Sequence, residues 1–441
     1  MDKFSSYISS NKKRFDLEDP FKGYFNDNYE LEKSQEGILK SQKIFDWLNR
    51  ISFGSKNDLY TYQQALETKT GPMIKINGQD ILMISSYDYL GLIGHPYIEK
   101  SAIEAIKQFG TNTGGVRLLT GTAIIHRKFE KELASFIGTE ASMMYSSGYL
   151  ANLAVINALC NEDDLIFLDQ KIHQSIVEAC KLAQVPYLKF RHNDINSLND
   201  LLDENNNKGN KLIISEGIFS MDGDICPLPE LLDIKKRKNA YLMIDESHSI
   251  GVLGKSGKGV HEYYGINPKE IDIWTASLSK AIPSNGGYIA GGKELIYYLQ
   301  HGSSPFFFSA ASSPASVGAA SAALKIIVKE KTRLKNLWKN TELLIDGFKN
   351  SGWVLLSDES PIIPVLIGTE MDAYNLTRSL FNYGIVALAI VYPAVPKNEA
   401  RLRICATAAL DEDTINYVIS VFNKIKSEGN TQIADNKSGS F

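Results

Sequence analysis

The sequence predicts an α/β fold: a mostly parallel β-sheet covered by helices on both faces, with a smaller α+β part towards the C-terminus. Three observations carry that expectation. Between about residues 100 and 300, short apolar runs alternate with helical segments. Strands joined by helical crossovers run parallel and are buried on both faces. Several of these runs end in polar or charged residues, and beyond about residue 315 the alternation gives way to long helical patterns.

Taken in order, residues 1–60 read as a polar, aromatic-dotted N-terminal extension. Within it, "KSQKIFDWLNRI" spaces Ile44, Trp47, Leu48 and Ile51 as a helix does. "PMIKINGQDILMISS" reads as a hairpin turning at Asn77-Gly78. Strands are expected at 142–145, 165–168, 212–215, 241–244, 271–275 and 288–290, with helices between them at 126–136 and 228–236. A helical stretch follows over 315–349, then strands at 364–367 and 385–389. "DEDTINYVISVFNKIK" closes the pattern, with Asp411 as N-cap and Ile415, Val418, Ile419 and Phe422 on one face. The expected organisation is a large domain over 61–315, a small C-terminal domain over 316–428 and a flexible tail over 429–441. Residues 61–95 are expected to pack partly on the small domain. No internal repeat is evident.

Composition excludes several classes. The chain has 441 residues, 44% hydrophobic and 22% charged, which is ordinary for a globular protein. A net charge of −4 without a basic block gives no support to nucleic-acid binding. No apolar stretch reaches the roughly 18 residues of an integral membrane segment. The N-terminus lacks the apolar core of a secretory signal. Cys160, Cys180, Cys226 and Cys405 lie far apart and read as free thiols in a reducing cytoplasm.

In open α/β sheets ligands sit beyond the carboxyl ends of the strands, and that is where the unusual groups fall. "MMYSSGYLAN" ends a strand in Ser146-Ser147-Gly148-Tyr149 and starts a helix, whose N-terminal amides either bind an anion or form an ordinary cap. His173 follows the next strand, where a lone histidine is usually structural or solvated. Glu216 and Ser220 follow another. "YLMIDESHSIG" ends in Asp245, an acid that is costly after a buried strand unless paired with a cation. Asp245 and His248 could be a metal pair, but no third ligand is evident, and no metal is expected.

Lys280, in "SLSKAIPSNGG", falls on the same rim. A long cation among small residues there is a surface turn, a phosphate clamp or a nucleophile. The set as a whole matches the needs of pyridoxal phosphate. A lysine holds the aldehyde as a Schiff base, and a carboxylate keeps the pyridine nitrogen protonated. A helix N-terminus and small hydroxyls hold the phosphate, and an imidazole or aromatic ring stacks on the cofactor. The lysine must lose its proton near neutral pH, which burial and a nearby cation promote. "GYIAGGKE" imitates a nucleotide-binding P-loop, but Glu294 stands where a hydroxyl should hold magnesium. There is no G-x-G-x-x-G for a nicotinamide-binding unit.

Motifs resembling those of one family then occur in order over roughly residues 70–425: "SSYDYLGL" (85–92), "GTNTGGVRLLTGT" (110–122), "SSGYLAN" (146–152), "EGIFSMDGDICPL" (216–228), "DESHSIGVLGKSGKG" (245–259), "SLSKAIPSNGG" (277–287), "PFFFSAASSP" (305–314) and "YPAVPKNEARLRICATAA" (392–409). The chain resembles the α-oxoamine synthases, fold-type I pyridoxal phosphate enzymes. The resemblance implies a mostly parallel seven-stranded sheet in the large domain. It makes Lys280 the cofactor-linked residue that later moves the substrate's α-proton, and Asp245 the partner of the pyridinium nitrogen. His173 would stack on the ring, and Ser220 and His248 would hydrogen-bond its phenolic oxygen. Ser147, Gly148 and Tyr149, with Ser277, would bind the phosphate. Arg403 would bind the substrate carboxylate, with Tyr87 and Asp88 also at the substrate. Ser309 would reach the phosphate of a neighbouring subunit, making a homodimer with its sites at the interface.

Read without the family, Arg401 and Arg403 lie on one face of a strand and suit a surface ion pair. Several positions depart from the family pattern: Ser277 for threonine, Ser247 for alanine, Pro283 for glycine, Ala310 for threonine and Leu410 for histidine. The Tyr87-x-Tyr89 spacing is closer to serine palmitoyltransferases than to the biotin-pathway amino-oxononanoate synthases. The implied reaction is a decarboxylating condensation of serine, alanine or glycine with a medium or long acyl chain on coenzyme A or an acyl carrier protein. Alanine with a pimeloyl thioester is the alternative. A catalytically idle partner subunit is a further class, opposed by the presence of both Lys280 and Asp245.

Overall fold

The computed structural model describes residues 37–205 and 209–429. The first 36 residues and the expected tail beyond 429 lie outside the described residues. Helix α1 (Gln42–Lys56) forms where the apolar spacing predicts one, but its face is only half covered and Trp47 stays 47% exposed. Strands β1 (Met73–Ile76) and β2 (Gln79–Met83) form the expected hairpin. Its turn has φ 48° at Asn77 and φ 70° at Gly78, the left-handed pair that a two-residue hairpin loop requires.

Helices α2 (Pro96–Phe109) and α3 (Ile124–Ile137) lead into the main sheet. It is built from β3 (Ala141–Tyr145), β4 (Leu165–Asp169), β5 (Tyr187–Phe190), β6 (Lys211–Glu216), β7 (Tyr241–Asp245), β8 (Ile273–Ser277) and β9 (Gly287–Gly291). These seven strands lie in the order β3-β9-β8-β7-β6-β4-β5, with β9 antiparallel to both its neighbours and the remaining pairs parallel. The crossovers carry helices α4 (Gly148–Leu159), α5 (Gln174–Ala183), α6 (Ile195–Glu204), α7 (Leu228–Lys238) and α8 (Val260–Tyr264).

Successive strand residues point to opposite faces, and both faces are apolar. Met143, Ile166, Ile214 and Met243 pack with Val155 of α4 and Ile176 of α5. Met144, Phe167, Ile213 and Leu242 join the larger core on the other side. This double burial explains why these strands read as continuous apolar runs. Parallel pairing then aligns their carboxyl ends: Glu216 lies opposite Asp245, and Asp245 opposite Thr275.

Helices α9 (Lys293–Gly302) and α10 (Ser304–Phe308) follow. The helical stretch expected over 315–349 is two helices, α11 (Pro314–Lys329) and α12 (Lys331–Asn350), separated at Glu330 by a non-helical ψ of 62°. The chain ends with β10 (Ile362–Gly368), α13 (Glu370–Asn382), β11 (Ile385–Val386), β12 (Ala389–Ile390), β13 (Ala400–Cys405) and α14 (Glu412–Ser427). The single strand expected over 385–389 is a correction: β11 joins the N-terminal hairpin beside β2, whereas β12 pairs with β13. Asp411 caps α14 as expected, accepting the Thr414 N–H at 2.9 Å. Among the described residues, no helix is long and apolar enough to cross a membrane.

Candidate active site

The rim built by β3, β4, β6, β7 and β8 gathers most of the residues singled out in the sequence. Ser147 is the N-cap of α4, with its Oγ accepting the Leu150 N–H at 3.2 Å. The absent side chain of Gly148 faces Ser277: a Cβ there would lie 2.9 Å from the Ser277 Cα. The structure gives this glycine to packing of the α4 start against the end of β8, which brings both phosphate-binding candidates together. Ser277 Oγ lies 2.7 Å from Ser279 Oγ, which in turn accepts from Lys280 Nζ at 3.2 Å.

Asp245 is buried at the end of β7. Its Oδ2 accepts from Asn152 Nδ2 at 2.9 Å and its Oδ1 from the Ser247 N–H at 2.9 Å. Among the described residues it has no ion-pair partner, although Lys280 acts on it from within the same site. Asn152 Oδ1 is buried without a hydrogen bond. A buried carboxylate without a bonded cation fits a protonated ring nitrogen.

His173, an exposed residue, stands at the N-cap of α5 with its Nδ1 2.8 Å from Ser175 Oγ. Its backbone N–H donates to Glu216 Oε1 at 2.6 Å. Burial, and secondarily the charge of Asp245, hold the Glu216 carboxyl well above the usual range. His248 is buried with its Nδ1 2.8 Å from the Tyr89 hydroxyl. Burial, then the charges of Lys280 and Arg403, push its imidazole well below the usual range, so it is neutral.

Burial, helped by the charge of Arg403 and opposed by Asp245, lowers the Lys280 pKa. Its Nζ lies 4.8 Å from the centre of the Tyr87 ring. The Arg403 guanidinium lies 4.4 Å from the same ring and donates to the Tyr87 hydroxyl and, at 3.0 Å, to the Ser220 carbonyl. Arg403 is not a surface residue, which corrects the ion-pair reading. It is buried, faces no carboxylate among the described residues, and its Nε lacks a partner. Arg401 beside it is fully committed, to Asp222 at 2.7 Å and Glu399 at 3.1 Å.

Other predicted residues stand apart. Asp88 is turned away from the set: its carboxylate accepts the Leu92 and Ile93 N–H groups at 2.7 and 3.1 Å, closing a turn. Tyr149 is exposed, with its hydroxyl on Glu178. Ser309 Oγ lies 3.0 Å from Ser146 Oγ of the same chain, beside the start of α4. Sequence reasoning missed Asn152 and Ser279, and used Tyr89 only for its spacing from Tyr87, not for its contact with His248. Asn152 had a usable signal, because it lies one helical turn beyond Gly148 and so on the same face of α4.

Comparison with known proteins identifies the family. The family model described as aminotransferase class I and II matches residues 79–422. An 8-amino-7-oxononanoate synthase of Thermoanaerobacter pseudethanolicus is 39% identical over 371 residues, covering 84% of this chain and 94% of that protein. A serine palmitoyltransferase of Bacteriovorax stolpii is 36% identical over 380 residues, covering 86% and 90%. The chain belongs to the α-oxoamine synthase family. Among solved structures, the Sphingomonas wittichii serine palmitoyltransferase superposes with a TM-score of 0.86 at 28% identity, covering 90% of this chain and all of that one. The S. paucimobilis enzyme, solved with PLP and myriocin bound, also gives 0.86, at 27% identity over 89% of this chain and 99% of that one. The protein is therefore a pyridoxal phosphate-dependent enzyme of the acyltransferase type.

Proposed function

We propose that this α-oxoamine synthase condenses a small amino acid, with serine first, with a medium- or long-chain acyl thioester, in the manner of a serine palmitoyltransferase. The observation that carries this reading is the pairing of Tyr87 with Arg403 and of Tyr89 with His248. Both tyrosines of the Tyr-x-Tyr spacing are thereby committed to the site.

Pyridoxal phosphate supplies a sink for the negative charge left at the amino acid's α-carbon. Lys280 holds the cofactor and moves the α-proton, a task that its lowered pKa favours. Asp245 keeps the pyridine nitrogen protonated, and His173 covers the ring. Tyr89, whose phenol is held well above its usual range by burial, stays protonated beside His248 Nδ1, and either group can be the donor of that hydrogen bond. With Tyr89 as donor, His248 Nε2–H is free to donate to the phenolic oxygen, alongside Ser220. Ser147, the Gly148 and Tyr149 amides, and Ser277 hold the phosphate. Arg403 would bind the substrate carboxylate through its planar guanidinium fork. The reading extends to a cytoplasmic homodimer in which Ser309 reaches the neighbouring phosphate.

The alternative, alanine with a pimeloyl thioester, is favoured by the 39% identity to an 8-amino-7-oxononanoate synthase. Its donor needs a cation for the distal carboxylate, and Arg401 is already neutralised by Asp222 and Glu399. The test is a survey of amino acids against acyl thioesters. Turnover of serine with long-chain acyl-CoA supports the proposal. Activity confined to alanine with pimeloyl thioester, or to glycine with acetyl-CoA, overturns it.

A further inference from the structure

Next to the set around Lys280 lies a charged cluster that the proposed mechanism does not use. It centres on His192, just beyond β5. Its Nδ1 lies 2.8 Å from Asp169 Oδ1 at the end of β4, and its Nε2 lies 2.6 Å from Asp224 Oδ2. An imidazole that donates from both nitrogens is protonated. Burial opposes the charge, but hydrogen bonds to Asp169 and Asp224 outweigh it and push the pKa up to about 9. The Phe219 ring meets the imidazole edge-on, with ring centres 4.5 Å apart. The neighbouring charges are separately paired: Lys171 and Arg401 on Asp222, and Arg191 on Asp194.

Asp224 closes a hairpin over residues 217–226. Ile218 and Ile225 form a β-bridge, Phe219 N–H donates to the Asp224 carbonyl at 3.0 Å, and Gly223 N–H donates to the Phe219 carbonyl at 2.8 Å. The hairpin tip is the ledge on which Arg403 rests, through the Ser220 carbonyl. Its far side is locked against β10, because a Cβ on Gly223 would lie 2.2 Å from the Ile362 carbonyl oxygen. Ile225 N–H also donates to Glu359 Oε2 at 2.9 Å.

We propose that His192 is a positioning residue: by bridging Asp169 to Asp224 it fixes the hairpin over 217–226 and, through the Ser220 carbonyl, aims the Arg403 guanidinium at the amino-acid carboxylate. This rests on the reading of Arg403 given above. His192 touches no reacting atom. Its loss leaves two carboxylates without their shared cation and loosens the ledge rather than the chemistry.

The experiment compares cofactor-loaded wild type with His192→Gln and with His192→Arg, which keeps the charge and several donors. It reads amide hydrogen exchange over residues 217–226, and the KM of each substrate separately. His192→Gln is expected to speed hairpin exchange and raise the amino-acid KM by about tenfold each, a change of about 1.4 kcal/mol. Its kcat and acyl-donor KM should stay within about twofold, and His192→Arg should recover part of the loss. Unchanged hairpin exchange, or a proportionate change in kcat and both KM values, overturns the role of His192. If His192→Gln does not fold, Asp224→Asn carries the same test from the other side of the bridge. Arg403→Gln separates the two readings. If it raises the amino-acid KM and His192→Gln does not, only the role of His192 fails. If it leaves that KM unchanged, the carboxylate reading fails and takes the link to substrate with it.

Discussion

At Asp245 the fold buries a carboxylate that accepts from Asn152 Nδ2 and the Ser247 N–H and, among the described residues, has no ion pair. Asp245→Asn keeps the shape, and Asn152 can turn its unpartnered Oδ1 to the new amide. The variant should therefore fold like wild type and bind the cofactor, yet form product about 100-fold more slowly or worse, judged from electrostatic losses at other active sites. Turnover at saturating cofactor, with a melting curve as control, measures this. His192 makes a prediction of the opposite kind. Its folded pKa, about 9, lies above the ordinary histidine value of 6.5. Folding therefore favours the charged form. The resulting stability is complete below about pH 6.5 and is lost as pH rises through about 9. The melting-temperature gap between wild type and His192→Gln should be widest below about pH 6.5 and close as pH rises through about 9.

The start of α4 shows how an element turns sequence into position. The Ser147 cap was legible because a hydroxyl before an apolar helix has a local cause. The role of Gly148 was not, because its neighbour Ser277 is distant in sequence and meets it only through the order of the sheet. The same distinction runs through the fold. Doubly buried strands such as β7 announced themselves, whereas β5, "YLKF" at the sheet edge and only partly covered, did not. β8 begins two residues later than its apolar run, since Ile271 is buried without pairing in the ladder. At the site, Asp245 and Lys280 were readable from their strands. Tyr89, Asn152 and the hairpin contact of Arg403 depend on packing between distant segments. Gly148→Ala tests the element directly. The added methyl meets Ser277 backbone, which cannot swing aside, so a loss of about 1–3 kcal/mol is expected. Urea midpoints should fall, and cofactor affinity should weaken because α4 and β8 move apart. An unchanged midpoint would mean that the close packing does not constrain the site.

Among the described residues, the two most exposed large apolar side chains lie in neighbouring segments near the proposed phosphate contacts. Leu119 is 76% exposed and Phe308 84% exposed. Their segments are tied together by the bridge between Val116 and Ala310. Neither is on a loose loop: Arg117, between Val116 and Leu118, is buried and paired with Glu130 at 2.8 Å. Phe308 adjoins Ser309, which already lies beside Ser146 at the approach to α4. An anchored apolar surface of this kind is costly to leave in water. A second copy covering it would bring the two sites to a common interface, as the homodimer reading requires. Leu119→Glu with Phe308→Glu should therefore shift the protein to the mass of one chain in sedimentation at micromolar concentration. Cofactor affinity should fall in the same variant, because phosphate contacts would be lost with the partner. A wild-type protein that sediments as one chain with full activity would break the link between assembly and site. A dimer that survives both substitutions with unchanged cofactor affinity would place the interface elsewhere.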